Sequence, residues 1–200
     1  VLMGLYAGLW FLAPALSFVG FVLLTWFHWG QGDVYVLLDV AAAEHLPGVG
    51  DRALALVVRG GLPMVVPLVA FPDRYRAVAA GAVGSFGADA AALAPLFTPA
   101  GRAVAGGGLL AASLLGVAAG GLRVRRGAAR RPWLVDAGEV ALLWAYFAVV
   151  TPILAVGLYF CCWHALRHVA RLLVADEGAA AALADGDAAG AFRRFARDAA

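Results

Sequence analysis

The sequence predicts an all-α protein, a polytopic bundle of membrane-spanning helices. Apolar residues make up 64% of the 200 positions and charged residues 14%, and the mean hydropathy is +0.86. About a quarter of the residues in a soluble domain are charged, so this chain has too little polar surface for a soluble globule. Charge is absent from whole stretches, such as Phe11 to Phe27 and Ala103 to Leu122. Because one crossing needs about 20 apolar residues, we expect about six spans within residues 1–174.

The first 29 residues are apolar and are divided by Pro14. Proline is favoured in the first turn of a helix, so we expect one helix to end before Pro14 and a second to run from Pro14 to His28. The chain opens inside an apolar run, with no initiator methionine or basic leader, and is expected to be part of a longer protein. A mixed loop is predicted from Gly30 to Asp51.

The third helix is predicted from Arg52 to Ala70. Pro63 and Pro67 should loosen it, because proline lacks the N–H that a helix interior uses. Pro72 lies just past its predicted end. The following region, Asp73 to Pro99, is rich in alanine and glycine, which predicts a short interfacial or partial helix.

Three further spans are predicted in the second half of the chain, at Gly101–Gly121, Trp133–Val150 and Pro152–Val174. The many small residues of the first permit close helix contact in lipid. Residues 175–200 are rich in Ala, Asp and Gly. They are predicted to form a polar tail with an amphipathic stretch from Phe192 to Arg197, leading to a further helix.

Arginines cluster between two of these spans. Five of them fall within nine residues, at Arg123, Arg125, Arg126, Arg130 and Arg131. By the positive-inside rule this loop should be cytoplasmic in a multi-pass protein of the cell membrane. Counting helices away from the loop places His28, His164 and His168 in one leaflet, near the cytoplasmic side. The net charge of +2 is too small to predict a nucleic-acid partner.

The histidines are the one constellation in the sequence that could carry chemistry. His164 and His168 are four residues apart, so a helix presents them on one face, where two imidazoles can hold one metal ion. Ionisable groups inside a membrane are functional candidates; the alternative is a pair at the headgroup level, hydrogen-bonded to water. His28 lies between Trp26 and Trp29, which also suits an aromatic belt at the interface. The shared leaflet favours a ligand role for His28.

Five other residues have an ordinary interpretation. Asp33 either orients the His28 ring as a hydrogen-bond acceptor or is a loop residue. His45 is predicted to be a solvated surface histidine, and the adjacent Cys161 and Cys162 to be small core residues. Glu139 is predicted to make a packing or polar contact. An all-imidazole ligand set favours Fe, Cu or Zn over Mg or Ca.

The segment Thr151 to His168, which contains Tyr159-Phe160-Cys161-Cys162-Trp163-His164, resembles the signature of the Brp/Blh family. These are bacterial and archaeal membrane enzymes that cleave β-carotene centrally to retinal. Phe27 to Asp33 is similar to the family's other His-aromatic-Gly-x-x-Asp motif, and Arg59 to Pro67 to its intervening helix. The resemblance covers Tyr6 to Leu173; it departs at Ala165, where serine is common, and at Gln31, where glutamate is common.

The resemblance implies an Fe(II) dioxygenase with four histidine ligands, no other catalytic residue, and dioxygen as co-substrate. His28, His164 and His168 match three of the ligands, and we expect the fourth to lie outside this chain. The carotenoid would enter from the lipid bilayer and lie between aromatic walls. The candidate wall residues are Trp29, Tyr146, Phe147, Tyr159, Phe160 and Trp163. An opsin is left open as a functional partner.

Three other functions stay open on the residues alone. A membrane desaturase or hydroxylase binds two irons but needs more histidines than the four present. A haem-binding electron carrier could use axial histidines from two helices. A transporter or structural membrane protein would carry these histidines incidentally.

Overall fold

The computed structural model describes residues 2–198, and every regular element among them is a helix. In chain order the elements are α1 (Leu2–Leu12), α2 (Pro14–Asp39), α3 (Val49–Ala70), α4 (Pro72–Gly84), a 3₁₀ helix (Ala91–Phe97), α5 (Pro99–Arg125), α6 (Arg130–Val149), α7 (Pro152–Leu158), a π-helix (Tyr159–His164), α8 (Ala165–Ala175), α9 (Glu177–Ala184) and α10 (Ala188–Asp198). The described residues contain no strand, which confirms the predicted all-α class.

Four helical segments among the described residues are long and apolar enough to cross a membrane. They are α3, α5, α6 and the continuous stretch Pro152–Ala175, which joins α7, the π-helix and α8. The two other predicted spans are also helices. However, α1 has only 11 residues, and α2 carries His28, Gln31 and Asp33 in its second half. The chain is therefore a helical membrane bundle, as predicted.

Helix α3 lies at the centre of the bundle, packed against α2, α5 and α6. Of its apolar stretch 56% is buried, against 17% for each of the other candidate spans. Pro63 and Pro67 are accommodated within a continuous helix, and both are buried. The main core cluster joins Leu62 of α3 to Trp29 of α2, Phe147 of α6 and Tyr159 of the π-helix.

The predicted loop from Gly30 to Asp51 is wrong over its first part, because α2 continues to Asp39. Gly30 does not end the helix; it is the point where α2 touches α3. A Cβ atom at Gly30 would collide with the backbone oxygen of Leu56. Close packing of two helices thus outweighs the weak helix propensity of glycine. The continuation places Asp33 inside the bundle, so its interpretation as a loop residue is also wrong.

The region after α3 forms a side layer. Helix α4 begins at Pro72, and together with the 3₁₀ helix it accounts for the predicted partial helix. Val83 of α4 and Phe97 of the 3₁₀ helix form a second cluster with Phe18 of α2 and Leu68 of α3.

The C-terminal segment folds back on α8 as two short helices, α9 and α10. Asp176 begins α9: its Oδ1 accepts a hydrogen bond from the backbone N–H of Ala179 at 2.7 Å. The same oxygen accepts from Nε of Arg194 on α10 at 2.6 Å. One carboxylate therefore both caps α9 and ties α10 to it.

Candidate metal centre

Two distant parts of the chain bring three histidine rings together. His28 lies on α2, His164 ends the π-helix and His168 follows one turn later on α8. The ring centroids of His28 and His164 are 5.5 Å apart, and those of His164 and His168 are 6.5 Å apart. The predicted convergence of these three imidazoles is therefore present. The side of the membrane on which they lie stays a prediction.

The π-helix decides how His164 is presented. Its wider turn places residues five apart on one face, and Tyr159 and His164 are both buried on the side that faces the core. Cys161 and Cys162 lie between them and are exposed, so the prediction that they are small core residues is wrong. Single-turn π-segments inside α-helices are frequent at functional sites, but the hydrophobic pattern of the sequence did not reveal this one.

Gly32 lies against the ring of His164. A Cβ atom at Gly32 would come within 3.2 Å of His164 Cε1 and 3.8 Å of its Nδ1. Since 3.2 Å is less than a normal van der Waals separation, any side chain here would push the ring away. The backbone of α2 therefore forms one wall of the histidine site.

The donor chemistry of the three rings fits a transition metal of the Fe, Cu or Zn class. His164 and His168 stack with an angle of 9° between their planes, and His28 meets His164 at 62°. Among residues 2–198, no group of three or more His, Cys, Asp and Glu side chains is arranged to hold a metal ion. The rings are neighbours in a row rather than a closed ligand set.

A buried ionic network lies beside the histidines, with Arg59 of α3 at its centre. The Arg59 side chain is 1% exposed. Its Nη1 donates to Asp33 Oδ2 at 3.0 Å, and its Nη2 donates to Asp136 Oδ1 at 2.6 Å and Glu139 Oε2 at 2.7 Å. Burial of a guanidinium without such partners would be very costly. Arg59 therefore joins α3 to both α2 and α6.

Asp33 belongs to this network rather than to His28. Besides Arg59, its carboxylate pairs with Arg167 Nε at 3.3 Å and accepts from Trp163 Nε1 at 3.4 Å. Within the described part of the chain it makes no hydrogen bond to His28, so the predicted role in orienting that ring finds no contact here. Asp33 instead contacts Trp163, which precedes His164, and Arg167, which precedes His168.

Glu139 completes the connection, because its Oε1 accepts from Arg167 Nη1 at 2.7 Å while Oε2 is bound to Arg59. The predicted polar contact of Glu139 is thus confirmed. Two guanidinium groups, those of Arg59 and Arg167, thus bind three carboxylates, those of Asp33, Asp136 and Glu139.

His45 was predicted to be solvated, and this is wrong: its side chain is 1% exposed. Its Nε2 lies 2.9 Å from Oδ2 of Asp136, which comes 91 residues later in the sequence. The segment between α2 and α3 folds onto α6, where Glu44 also accepts a hydrogen bond from the backbone N–H of Ala129. His45 therefore extends the network and does not join the other three histidines.

Four of the six predicted aromatic wall residues form two layers around His164. Trp29 and Phe160 contact its ring directly, with centroids at 5.6 Å and 6.0 Å. Tyr159 is 5.2 Å from Trp29, and Phe147 is 5.4 Å from Tyr159.

The two remaining wall residues point elsewhere. The hydroxyl of Tyr146 donates to the backbone oxygen of Ala155 at 3.0 Å, which joins α6 to α7. Trp163 turns towards the network, where the guanidinium of Arg167 lies 5.1 Å from its ring centroid.

The sequence analysis did not predict Arg59, Asp136 or Arg167 as site residues. These residues could have been found from the presence of charged residues inside apolar spans, because charged side chains occur there where they pair with a partner of opposite charge. Arg59 and Glu139 satisfy that criterion and are indeed bound to each other.

Known proteins match this chain over its whole length. The family model described as beta-carotene 15,15'-dioxygenase covers residues 1–200. The protein named probable beta-carotene 15,15'-dioxygenase Blh of Halobacterium salinarum is 45% identical over 200 residues, which are 100% of this chain and 57% of that protein. The one named probable beta-carotene 15,15'-dioxygenase Brp, from the same organism, is 37% identical over 174 residues, 87% of this chain and 48% of that protein.

The chain therefore spans about half the length of the curated relatives it matches. No solved structure matches it. The motifs around His28 and His164 lie inside the matched region, as does Arg59. With a family model that matches every residue, the chain belongs to the beta-carotene 15,15'-dioxygenase family.

Proposed function

We propose that this chain forms the histidine-bearing part of a non-haem Fe(II) oxygenase. The enzyme would cleave β-carotene at its central double bond into two molecules of retinal. The observation that supports this best is the 5.5 Å separation of the His28 and His164 rings, with His168 one turn further on. The names of the relatives supply the substrate class.

The reaction balances without an outside reductant. One carbon–carbon double bond breaks, two carbonyl bonds form, and dioxygen takes the electrons that the two carbon atoms lose. No proton needs to be delivered, so the site requires a dry position for the polyene rather than an acid–base pair. The apolar and aromatic surroundings of His164 meet that requirement.

Iron would be held by His28, His164 and His168, with a fourth histidine from outside this chain. When bound, it would supply the redox chemistry with dioxygen. The protein's own contribution is to position the substrate. Trp29 and Phe160 lie beside His164, where their flat faces could stack on a conjugated chain and stabilise positive charge in it. The cell membrane, in which carotenoids dissolve, is the proposed location, and an opsin a proposed functional partner.

The test uses the full-length protein that contains this chain, expressed in carotene-producing cells. The wild-type protein should bleach the carotene and yield retinal, and the purified protein should contain about one iron per chain by elemental analysis. His164→Ala should lose both properties. His45→Ala, at a buried histidine outside the proposed ligand set, should keep its iron.

Three results would contradict the proposal. Persistent carotene with a well-expressed wild-type protein would exclude the activity. Sharp visible bands in a reduced-minus-oxidised spectrum would indicate haem in place of non-haem iron. Equal iron content in the His164→Ala and wild-type proteins would remove the ligand assignment.

A further inference from the structure

A large apolar cavity lies beside the histidine site and has no role in the function as described so far. It has a volume of about 410 Å³ and an open mouth, and it lies between α2, α3, α4 and α7. Trp29 forms part of its lining, and the same ring lies 5.6 Å from His164. Trp29 is therefore a wall that the cavity shares with the candidate metal centre.

The cavity runs from a buried inner end to an exposed rim. At the inner end, Pro63, Pro67 and Trp29 are less than a tenth exposed. At the rim, the apolar side chains of Phe21 and Ile153 are 49% and 75% exposed. Exposed apolar side chains on a membrane-spanning bundle face lipid, so the mouth between α2 and α7 opens towards the hydrocarbon phase.

The chemistry of the walls selects a hydrocarbon. None of the described residues that line the cavity carries a charge, and the side-chain hydroxyls present are those of Thr25 and Tyr75. Burial raises the pKa of Tyr75 to about 12, so that hydroxyl stays neutral. Three prolines, Pro63, Pro67 and Pro152, give the walls compact apolar surfaces with few rotatable bonds.

We infer that this cavity binds one cyclic end of the carotenoid and the adjoining half of its polyene. The inference rests on the proposed function. If the central double bond lies at the histidines, each half of the substrate must extend away from them. The cavity offers such a path: its inner end lies at Trp29 beside His164, its described lining residues carry no charge, and its exposed rim faces lipid, from which a carotenoid would enter.

Gly157 provides a direct test, because it lines the cavity and a Cβ atom there would meet nothing within 4 Å. Gly157→Phe should therefore fill the cavity without a backbone clash, and replacing a glycine within a helix does not weaken the helix. Gly108→Phe is the matched control: Gly108 is also an exposed helical glycine with open space at its Cβ, but it lies on α5, outside this cavity.

Two measurements on the full-length protein keep this inference separate from the proposed function. Binding of β-carotene to iron-free protein is followed by its induced visible circular dichroism, and the KM and kcat for retinal release are measured on the iron-loaded enzyme. Gly157→Phe should weaken β-carotene binding and raise the KM for β-carotene about tenfold or more, because the substrate would lose its apolar contacts in the cavity. Gly108→Phe should match the wild type.

The outcomes are distinguishable. If the wild type releases retinal and Gly157→Phe binds β-carotene as tightly as Gly108→Phe, the cavity assignment is overturned and the proposed function stands. If binding is lost in Gly157→Phe but the wild type releases no retinal, the cavity assignment holds and the proposed function fails. Gly157→Phe should also reduce the affinity for a linear polyene without rings less than it reduces the affinity for β-carotene. An equal reduction for both ligands would contradict placement of the ring in this cavity.

Discussion

Gly32 and His164 touch across the interface of α2 and the π-helix, with His164 Cε1 3.2 Å from the position that a Cβ of residue 32 would occupy. The ring of His164 is in turn stacked against His168 and close to His28. The orientation of the central histidine therefore depends on the absence of a side chain four residues after His28.

Gly32→Ala should displace the His164 ring by a few tenths of an ångström and weaken iron binding and retinal formation about tenfold, since small misplacements at a reacting centre are costly. Iron content and the rate of retinal formation would be measured on the full-length protein. Gly108→Ala has open space at its Cβ and should leave both unchanged. Wild-type iron content in Gly32→Ala would mean that the contact does not position the ring.

The second prediction concerns Arg59, which binds three carboxylates from two other helices. Arg59→Met would leave Asp33 buried without its strongest partner, and the loss of one member of a buried pair costs about 3–5 kcal/mol. Thermal unfolding in detergent, followed by far-UV circular dichroism, should show a large drop in midpoint. Arg74→Met, at an exposed position of α4, should change stability by no more than about 0.5 kcal/mol. Similar midpoints for both variants would contradict the role given to the network.

Features that depend on local spacing could be predicted from the sequence, whereas contacts between distant residues could not. Spacing alone places His164 and His168 on one helix face, and length and hydropathy alone place most of the helices. Neither kind of pattern reports on residues far apart in the chain. The pairing of His45 with Asp136 across 91 positions, and of Arg59 with Glu139 across 80, depends on how helices pack, which the pattern of a single helix does not contain.

Local propensity was misleading at the end of α2. Two glycines close to Gln31 and Asp33 are typical of a loop, yet the helix continues because Gly30 allows contact with α3. That continuation is what carries Asp33 into the ionic network. The π-helix is a similar case. One extra residue in its turn rotates Cys161 and Cys162 outward, and neither helix propensity nor hydrophobic periodicity predicts this turn.

The third prediction tests whether Arg167 acts in this network through its positive charge alone or also through the fork of its guanidinium group. Arg167 bridges Glu139 and Asp33 with different nitrogens, at 2.7 Å and 3.3 Å, whereas a lysine offers one compact charge and no fork. Arg167→Lys can keep either the hydrogen bond to Glu139 or the ion pair with Asp33 but not both, so the free energy of unfolding should fall by about 1 kcal/mol, the order of magnitude of one such contact. Arg193→Lys on α10 is the control, because this arginine is 74% exposed and lies 3.9 Å from Asp187. It should be neutral; if Arg167→Lys is equally neutral, the bridge contributes charge alone.

The last prediction is a pH dependence at the junction of α9 and α10. The backbone N–H of Ala179, and then the side chain of Arg194, lower the pKa of Asp176 below its ordinary value of 3.8. A carboxyl group whose pKa is lower in the folded state stabilises that state fully above the ordinary pKa, and the contribution is lost as the pH falls through the lowered folded value. Hydrogen exchange of the α9 and α10 amides, corrected for intrinsic rates, should accelerate between about pH 5 and about pH 3. Asp176→Ala, which removes the capping oxygen, should exchange fast at both pH values, whereas Asp185→Ala, at the exposed end of α9, should behave like the wild type. A pH-independent exchange rate in the wild-type protein would show that the carboxylate does not hold these two helices together.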